Sequence, residues 1–544
     1  MDCTTAFAAS LALAPGVLGF ALSRITHASA RRARALTRAG AGLCLLLTLG
    51  LIGATAFAPG GTAGGPLPGA SAGAGALFGA PPLVRVDGLT LLMAATVGLI
   101  GFVVARFSER YLDGDPRQAR FCQWLSFTVS AVLTMVVTGH LLVLVAAWIA
   151  AGHGLDALLR HRNERPGALR TARARRYVAR IGELCLVAVL VLSQRAFGSL
   201  DLAVVLEAAA AGTAPASVEA IAWLLVLAAM TMSVQLPFEG WLPDSMETPT
   251  PVSALMHAGL VNAGGFLLLR TSPLLVEAPL ALGLLAVVGA STAIYGALVM
   301  LVQTDIKRKY AYSTVSQMGF MMLQCGLGAF GAAAMHLVGH SFYKGHAFLS
   351  AASQVDPSVP RARAGRASRP GPAAVTGALL AGLAAVAIPV WLLELDPSAK
   401  PGLLVLGAIL ALAVAQVALI GAAPGRPGIE ALVESLLLGA GFSLAYFVGL
   451  GLFEGALAGV IPTRTIDLPY GLEAGLVALF ALVFVAQLAL SRWPDHPLVR
   501  RAWVHASNGF YLDPLRRRLR ERMLALAPSL PPIITRRIAP EGGR

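Results

Sequence analysis

The sequence predicts an all-α polytopic membrane protein of about 14–15 transmembrane helices. Three observations predict it. The 544-residue chain is 56% hydrophobic and only 13% charged, where an average soluble protein is about 25% charged. Its mean hydropathy is +0.72. Apolar runs of membrane-spanning length recur along the chain, and the basic residues fall in short segments between alternate runs.

Fifteen runs fit, near 5–22, 39–58, 87–105, 121–138, 141–158, 178–194, 217–237, 250–270, 278–300, 311–328, 331–351, 372–393, 402–422, 430–453 and 472–491. The first has no basic residue before it and "RITHASARRARALTR" after it, the reverse of a signal peptide. It is therefore expected to remain as an anchor with its N-terminus outside. The segments after odd-numbered runs then hold the arginine-rich stretches, including "RHRNERPGALRTARARRYVAR" and "RARAGRASR", and the C-terminus lies inside. The net charge of +14 reads as topology rather than nucleic-acid binding. Beyond the last run, the tail from 492 mixes Trp, Phe and Tyr with an arginine run. It is expected to form a basic amphipathic helix, resting on anionic headgroups or docking a partner.

Several function classes are excluded or unsupported. The five cysteines (Cys3, Cys44, Cys122, Cys185, Cys325) include no CxxC pair, which argues against an iron–sulfur cluster, a zinc ribbon or a disulfide framework. No GxGxxG fingerprint falls on a strand–helix unit and no GxxxxGK[ST] loop occurs, so no nucleotide site is visible.

The chemistry concentrates in polar groups inside apolar runs. "HLVGHSFYKGH" places His336, His340 and Lys344 at i, i+4 and i+8, one helix face, with His346 off that face and nearer the inner end. Only four lysines occur in an arginine-rich chain (Lys307, Lys309, Lys344, Lys400), and lysine can give up a proton where arginine cannot. Axial steps of about 6 Å separate such side chains, so intervening waters would complete a proton wire. Interhelical hydrogen bonding and a metal site stay open, although no HExxH glutamate is present.

A second stretch, "MSVQLPFEGWLPDSMETPTPVSALMHAGLVNAGGFLLLR", places Pro237 to break the preceding helix, His257 inside the next, and Asn262 before a small-residue "NAGG" that lets a neighbour approach. A third, "QTDIKRKYAYSTVSQMG", holds Lys307 and Arg308, for which ordinary inside-loop charge accounts, as it does best for Lys309, with Asp305 placed to pair with Lys307 as the chain enters the span. Glu183 stands three residues after Arg180 and is expected to pair with it. His153 and Asp156 sit near the inner end of their run, where snorkelling accounts for them.

Together "PTPVSALMHA", "LVQTDIKRKYAYSTVSQMG" and "HLVGHSFYKGHAFL" resemble the antiporter-like membrane subunits of respiratory complex I, the subunit L (subunit 5) type, and of multisubunit cation/proton antiporters, over roughly residues 85–350. The resemblance implies inverted repeats with broken helices: residues 1–84 as N-terminal helices and linker, 85–270 and 271–425 as two repeat regions, 426–491 as C-terminal helices, and 492–544 as the tail. It also implies that His257, Lys307, His336, His340, Lys344 and Glu183 conduct ions. The family's glutamate after Trp148 is replaced by Ile149, and its lysine before the broken helix by Met232. "MHAGLVNAGGFLLLR" and "HASNGFYLDP" resemble one branch more closely, the membrane (DabB) subunits of DAB-type inorganic carbon transporters. That branch implies a bacterial inner-membrane subunit that carries protons or another cation and has no cofactor of its own. Its cytoplasmic partner would be a zinc-containing, carbonic-anhydrase-like subunit of the DabA type. A proton-translocating subunit of a quinone oxidoreductase, or a cation/proton antiporter, is the alternative.

Overall fold

The computed structural model describes residues 3–24, 29–56, 83–351, 371–396, 401–421, 428–462, 466, 468–493, 495–512, 514–516 and 518. Apart from two isolated backbone bridges (Val84 with Thr138, His140 with Asp201), its regular structure is helical. In chain order the helices are α1 (Cys3–Arg24), α2 (Ala30–Ala56), α3 (Gly88–Tyr111), α4 (Gln118–Val137), α5 (Leu141–Leu159), α6 (Pro166–Phe197), α7 (Leu202–Ala210), α8 (Val218–Met232), α9 (Thr250–Ala258) and α10 (Ala263–Arg270). After them come α11 (Ser272–Leu275), α12 (Pro279–Leu301), α13 (Ile306–Gly326), α14 (Phe330–Leu349), α15 (Pro372–Leu392), α16 (Pro401–Gly421), α17 (Gly428–Ala456), α18 (Tyr470–Arg492) and α19 (Pro497–Ser507).

Every one of the fifteen expected runs falls on a helix, the run 250–270 being shared by α9 and α10. Among the described residues, eleven segments are long and apolar enough to cross a membrane. The chain is a multi-pass membrane protein. Helices α13 and α14, of 21 and 20 residues, are not among the eleven, and they carry many of the polar groups of the site. Burial separates two kinds of span. The α9–α10 segment is 94% buried over its most apolar window, whereas α17 and α18 are 17% and 11% buried and turn leucines and phenylalanines outward, as lipid-facing helices do.

Close helix packing is made by small residues. Gly289 on α12 and Gly319 on α13 face each other so tightly that a Cβ on either would lie 2.7 Å from the other's carbonyl oxygen. Gly264, in the small-residue stretch of α10, brings its backbone against the Ala229 carbonyl of α8, 2.5 Å from where a Cβ would stand.

The helix break near Pro237 differs from expectation. Helix α8 ends at Met232, five residues earlier, and Pro237 lies in the irregular connection. The terminator is a Schellman-type turn: Gln235 N–H reaches back to Met230 O, with Val234 at φ 51° in the left-handed position that glycine usually fills. A valine there is strained and is held by full burial. A second break falls at Gly259, after which residues 260–262 form one tight 3₁₀ turn. The Val261 carbonyl on that turn accepts the Ser233 hydroxyl at 2.6 Å, so one break satisfies the other's backbone.

Candidate ion-conducting site

The site is assembled on one face of α14, because i, i+4, i+8 spacing stacks His336, His340 and Lys344 above one another. His340 and Lys344 are buried, Lys344 completely, and His336 is half-buried. The two histidine rings lie 6.1 Å apart, too far for direct hydrogen bonding. Neighbouring helices fill the spaces. His336 Nδ1 is 2.9 Å from Gln324 Oε1 on α13, and His340 Nδ1 is 3.1 Å from Asn262 Oδ1 on the 3₁₀ turn. Asn262 Nδ2 donates to Ala258 O and to Ser341 Oγ. Lys344 Nζ donates to Ser313 Oγ at 2.7 Å and to Tyr310 O at 3.3 Å. Among the described residues Lys344 has no carboxylate partner.

His257 joins from α9. Its ring stacks on Phe348 with centroids 4.2 Å apart, and its Nδ1 lies 3.0 Å from Thr314 Oγ1. The Thr314 hydroxyl already donates to Tyr310 O, so it accepts from His257. At His336, His340 and His257 the Nδ1–H is thus used as a donor, and Nε2 is left as the basic nitrogen. The His340 Nε2 is buried without a hydrogen-bond partner. Lys307, half-buried in the first turn of α13, donates to Thr248 O at 3.4 Å and sits at one end of this file. At the other end Gln324 is hydrogen-bonded to Tyr446 of α17.

The arrangement brings together His257, Asn262, His336, His340, Lys344 and, at its mouth, Lys307. The other candidates fall elsewhere. Asp305 does not pair with Lys307: its exposed carboxylate caps α13 by accepting the Arg308 N–H at 2.9 Å, the ordinary use of Asp at a helix start. His346 is exposed on the opposite face. His153 is exposed, with Nδ1 2.8 Å from Ile149 O. Asp156 does not snorkel. It is 4% exposed and held by Arg175 at 2.8 Å and Arg176 at 3.1 Å, because α6 lays its arginines across α5. Glu183 pairs with Arg180 at 2.7 Å. With Arg175, Trp148, Met232 and Trp241 it lines a cavity of ≈ 10 Å³, about one water in size.

Arg175 was not singled out by sequence, since it stands in a run of arginines whose spacing does not distinguish the buried one. Gln324, Ser313, Thr314 and Ser341 were also missed, because ordinary polar residues become informative only when their helices are placed. A third omission is Asp87, which caps α3 and meets fully buried Arg270 of α10 at 2.5 Å and Arg85 at 2.8 Å. Both members of the Asp87–Arg270 pair are buried, so the pair ties the start of α3 to the end of α10.

A multi-pass bundle with two adjoining helix breaks and a buried histidine–lysine file is the architecture of antiporter-type membrane subunits. Residues 138–423, just over half of the chain, match the family model described as NADH:quinone oxidoreductase/Mrp antiporter, TM, and residues 78–122 match the complex I chain 5 N-terminus. The likeness therefore continues well past residue 350, where the sequence motifs fade. The chain belongs to this family, within its DabB branch. It is 38% identical over 442 residues to the "Probable inorganic carbon transporter subunit DabB2" of Halothiobacillus neapolitanus, covering 79% of this chain and 78% of that one. It is 34% identical over 436 residues to the "Probable inorganic carbon transporter subunit DabB" of Hydrogenovibrio crunogenus, covering 79% and 81%. Among solved structures, a chain of the Mrp complex from Dietzia sp. DQ12-45-1b aligns with TM-score 0.61 and 25% identity over 96% of this chain, which spans 60% of that chain's length. A chain of respiratory complex I from Thermus thermophilus aligns with TM-score 0.51 and 22% identity, covering 93% of this chain and 99% of that one, which supports the fold.

Proposed function

We propose that this chain is the cation-conducting membrane subunit of an energy-coupled inorganic carbon uptake complex. The observation that carries this reading is the file from His336 through His340 to Lys344, its ends hydrogen-bonded to α13 and its centre to the 3₁₀ turn, with an unpartnered buried Nε2 on His340 and no carboxylate on Lys344 among the described residues. Lysine and histidine exchange protons, so ion passage reduces to hops between these groups and intervening water. His257 and Lys307 serve as the branch and the mouth of the path. The conducted ion is a proton, or another cation that displaces one.

The names of the DabB relatives support inorganic carbon as the transported species. The conversion of CO2 to bicarbonate is assigned to a cytoplasmic, zinc-containing, carbonic-anhydrase-like subunit of the DabA type, and this chain carries no cofactor and no catalytic role. The arginine-rich ends of the odd-numbered spans support an inner-membrane placement with the N-terminus periplasmic and the C-terminus cytoplasmic. Purification of the full chain in mild detergent from its native host tests the assignment. A co-purifying zinc protein with CO2-hydrating activity is expected. Recovery with flavin- and quinone-binding subunits instead would make it a redox-pump component, and recovery alone with cation-dependent pH changes in vesicles would make it an antiporter.

A further inference from the structure

The loops joining α3 to α4 and α5 to α6 meet at one end of the bundle and enclose a cavity of ≈ 160 Å³ lined by Arg117, Arg120, Trp124, Arg160, His161 and Asn163. This is roughly five water volumes, room for a phosphate group. Part of the wall is fixed by internal bonds. Arg117 donates to His161 O, to Asn163 Oδ1 and to Glu164, and buried His161 bonds Asp115 at 3.0 Å and sets its ring edge-on to Phe121.

The other two arginines are uncommitted. Arg160 uses only its Nε, on the Asp156 carbonyl, and keeps its terminal nitrogens available. Among the described residues neither Arg120 nor Arg160 meets a carboxylate. Two exposed guanidiniums on one cavity repel each other until an oxyanion lies between them, and their planar forks match phosphate geometry. The half-buried Trp124 ring on the same wall is the side chain favoured at headgroup depth. The cavity sits at the ends of four membrane-length helices, where basic pockets meet lipid headgroups. We infer that it binds the phosphate of an anionic phospholipid, bridged by Arg120 and Arg160, with the lipid's apolar part beside Trp124. This is independent of the ion file.

The test is thermal unfolding of the full chain in mild detergent, titrated with phosphatidylglycerol, phosphatidylcholine or inorganic phosphate. Phosphatidylglycerol is expected to raise Tm at concentrations where phosphatidylcholine does not. The R120Q/R160Q variant should need about thirtyfold more of it, whereas R31Q/R32Q, which removes the same charge from exposed positions of α2, should behave as the native chain. Native mass spectrometry of the untreated protein should find phosphatidylglycerol retained, a readout that does not depend on the variant folding. Equal losses in both double variants would reduce the effect to surface charge and overturn the site. Protection by millimolar phosphate alone, matching that by phosphatidylglycerol, would overturn the lipid assignment.

Discussion

His340 Nδ1 lies 3.1 Å from Asn262 Oδ1, so the central histidine of the histidine–lysine file is held by the helix break itself. Asn262 is oriented in turn by its amide bonds to Ala258 O and Ser341 Oγ, which leaves its oxygen facing the ring. A break at Gly259 thereby sets which nitrogen of His340 is free.

That relationship makes Asn262 a positioning residue. Asn262→Leu removes the acceptor at similar volume and should lower ion flux about ten- to a hundredfold, the loss seen when a partner orienting a functional histidine is removed. Asn262→Asp keeps an acceptor for the Nδ1–H and should retain more flux than the leucine variant. Flux in proteoliposomes, read beside the unfolding temperature, checks both. Equal flux in native and leucine proteins would leave Asn262 a packing residue.

In the first half, Asp156 neutralises Arg175, and both are buried. Asp156→Asn leaves the Arg175 charge uncompensated and should cost roughly 3–5 kcal/mol of stability. Replacing both by apolar residues of similar volume (Asp156→Leu with Arg175→Met) should recover most of that loss, since a buried pair breaks even against good packing. Chemical denaturation in detergent distinguishes the two outcomes. If the single substitution proves neutral, the pair is not what joins α5 to α6.

The Asp87–Arg270 pair joins the start of α3 to the end of α10, and both side chains are buried. Asp87→Asn leaves the Arg270 charge uncompensated and should cost roughly 3–5 kcal/mol of stability, read by chemical denaturation in detergent. A neutral substitution would show that the pair is not what holds α3 to α10.

Much of this architecture is legible in the sequence because it is written in periodicities. Apolar runs locate the helices, and the i, i+4, i+8 spacing of His336, His340 and Lys344 places them on one face before any fold is known. Asn262 and His257 stand out as polar residues in apolar surroundings. What is not legible depends on which helices meet. Asp156 near a helix end reads as a snorkelling group until α6 brings Arg175 over it. Asp305 and Lys307 are close in sequence, yet the helix start claims the carboxylate first. Pro237 looks like the helix breaker, but the chain turns earlier at Val234, a residue whose type disfavours the conformation and whose burial enforces it. Gln324 and Ser313 carry no signal of their own and acquire roles only by facing α14.

The central claim is that cations pass through Lys344 by proton exchange. It is tested most directly by flux through proteoliposomes holding the chain with whatever co-purifies, under an imposed pH gradient. Lys344→Ala should reduce flux to the level of protein-free vesicles without dissociating the complex. Lys344→Arg should be nearly as inactive, because a guanidinium keeps charge and hydrogen bonds but does not release its proton. His153→Ala, at an exposed position away from the file, should conduct as the native chain does. Native-level flux in Lys344→Ala, or full activity in Lys344→Arg, would contradict the account.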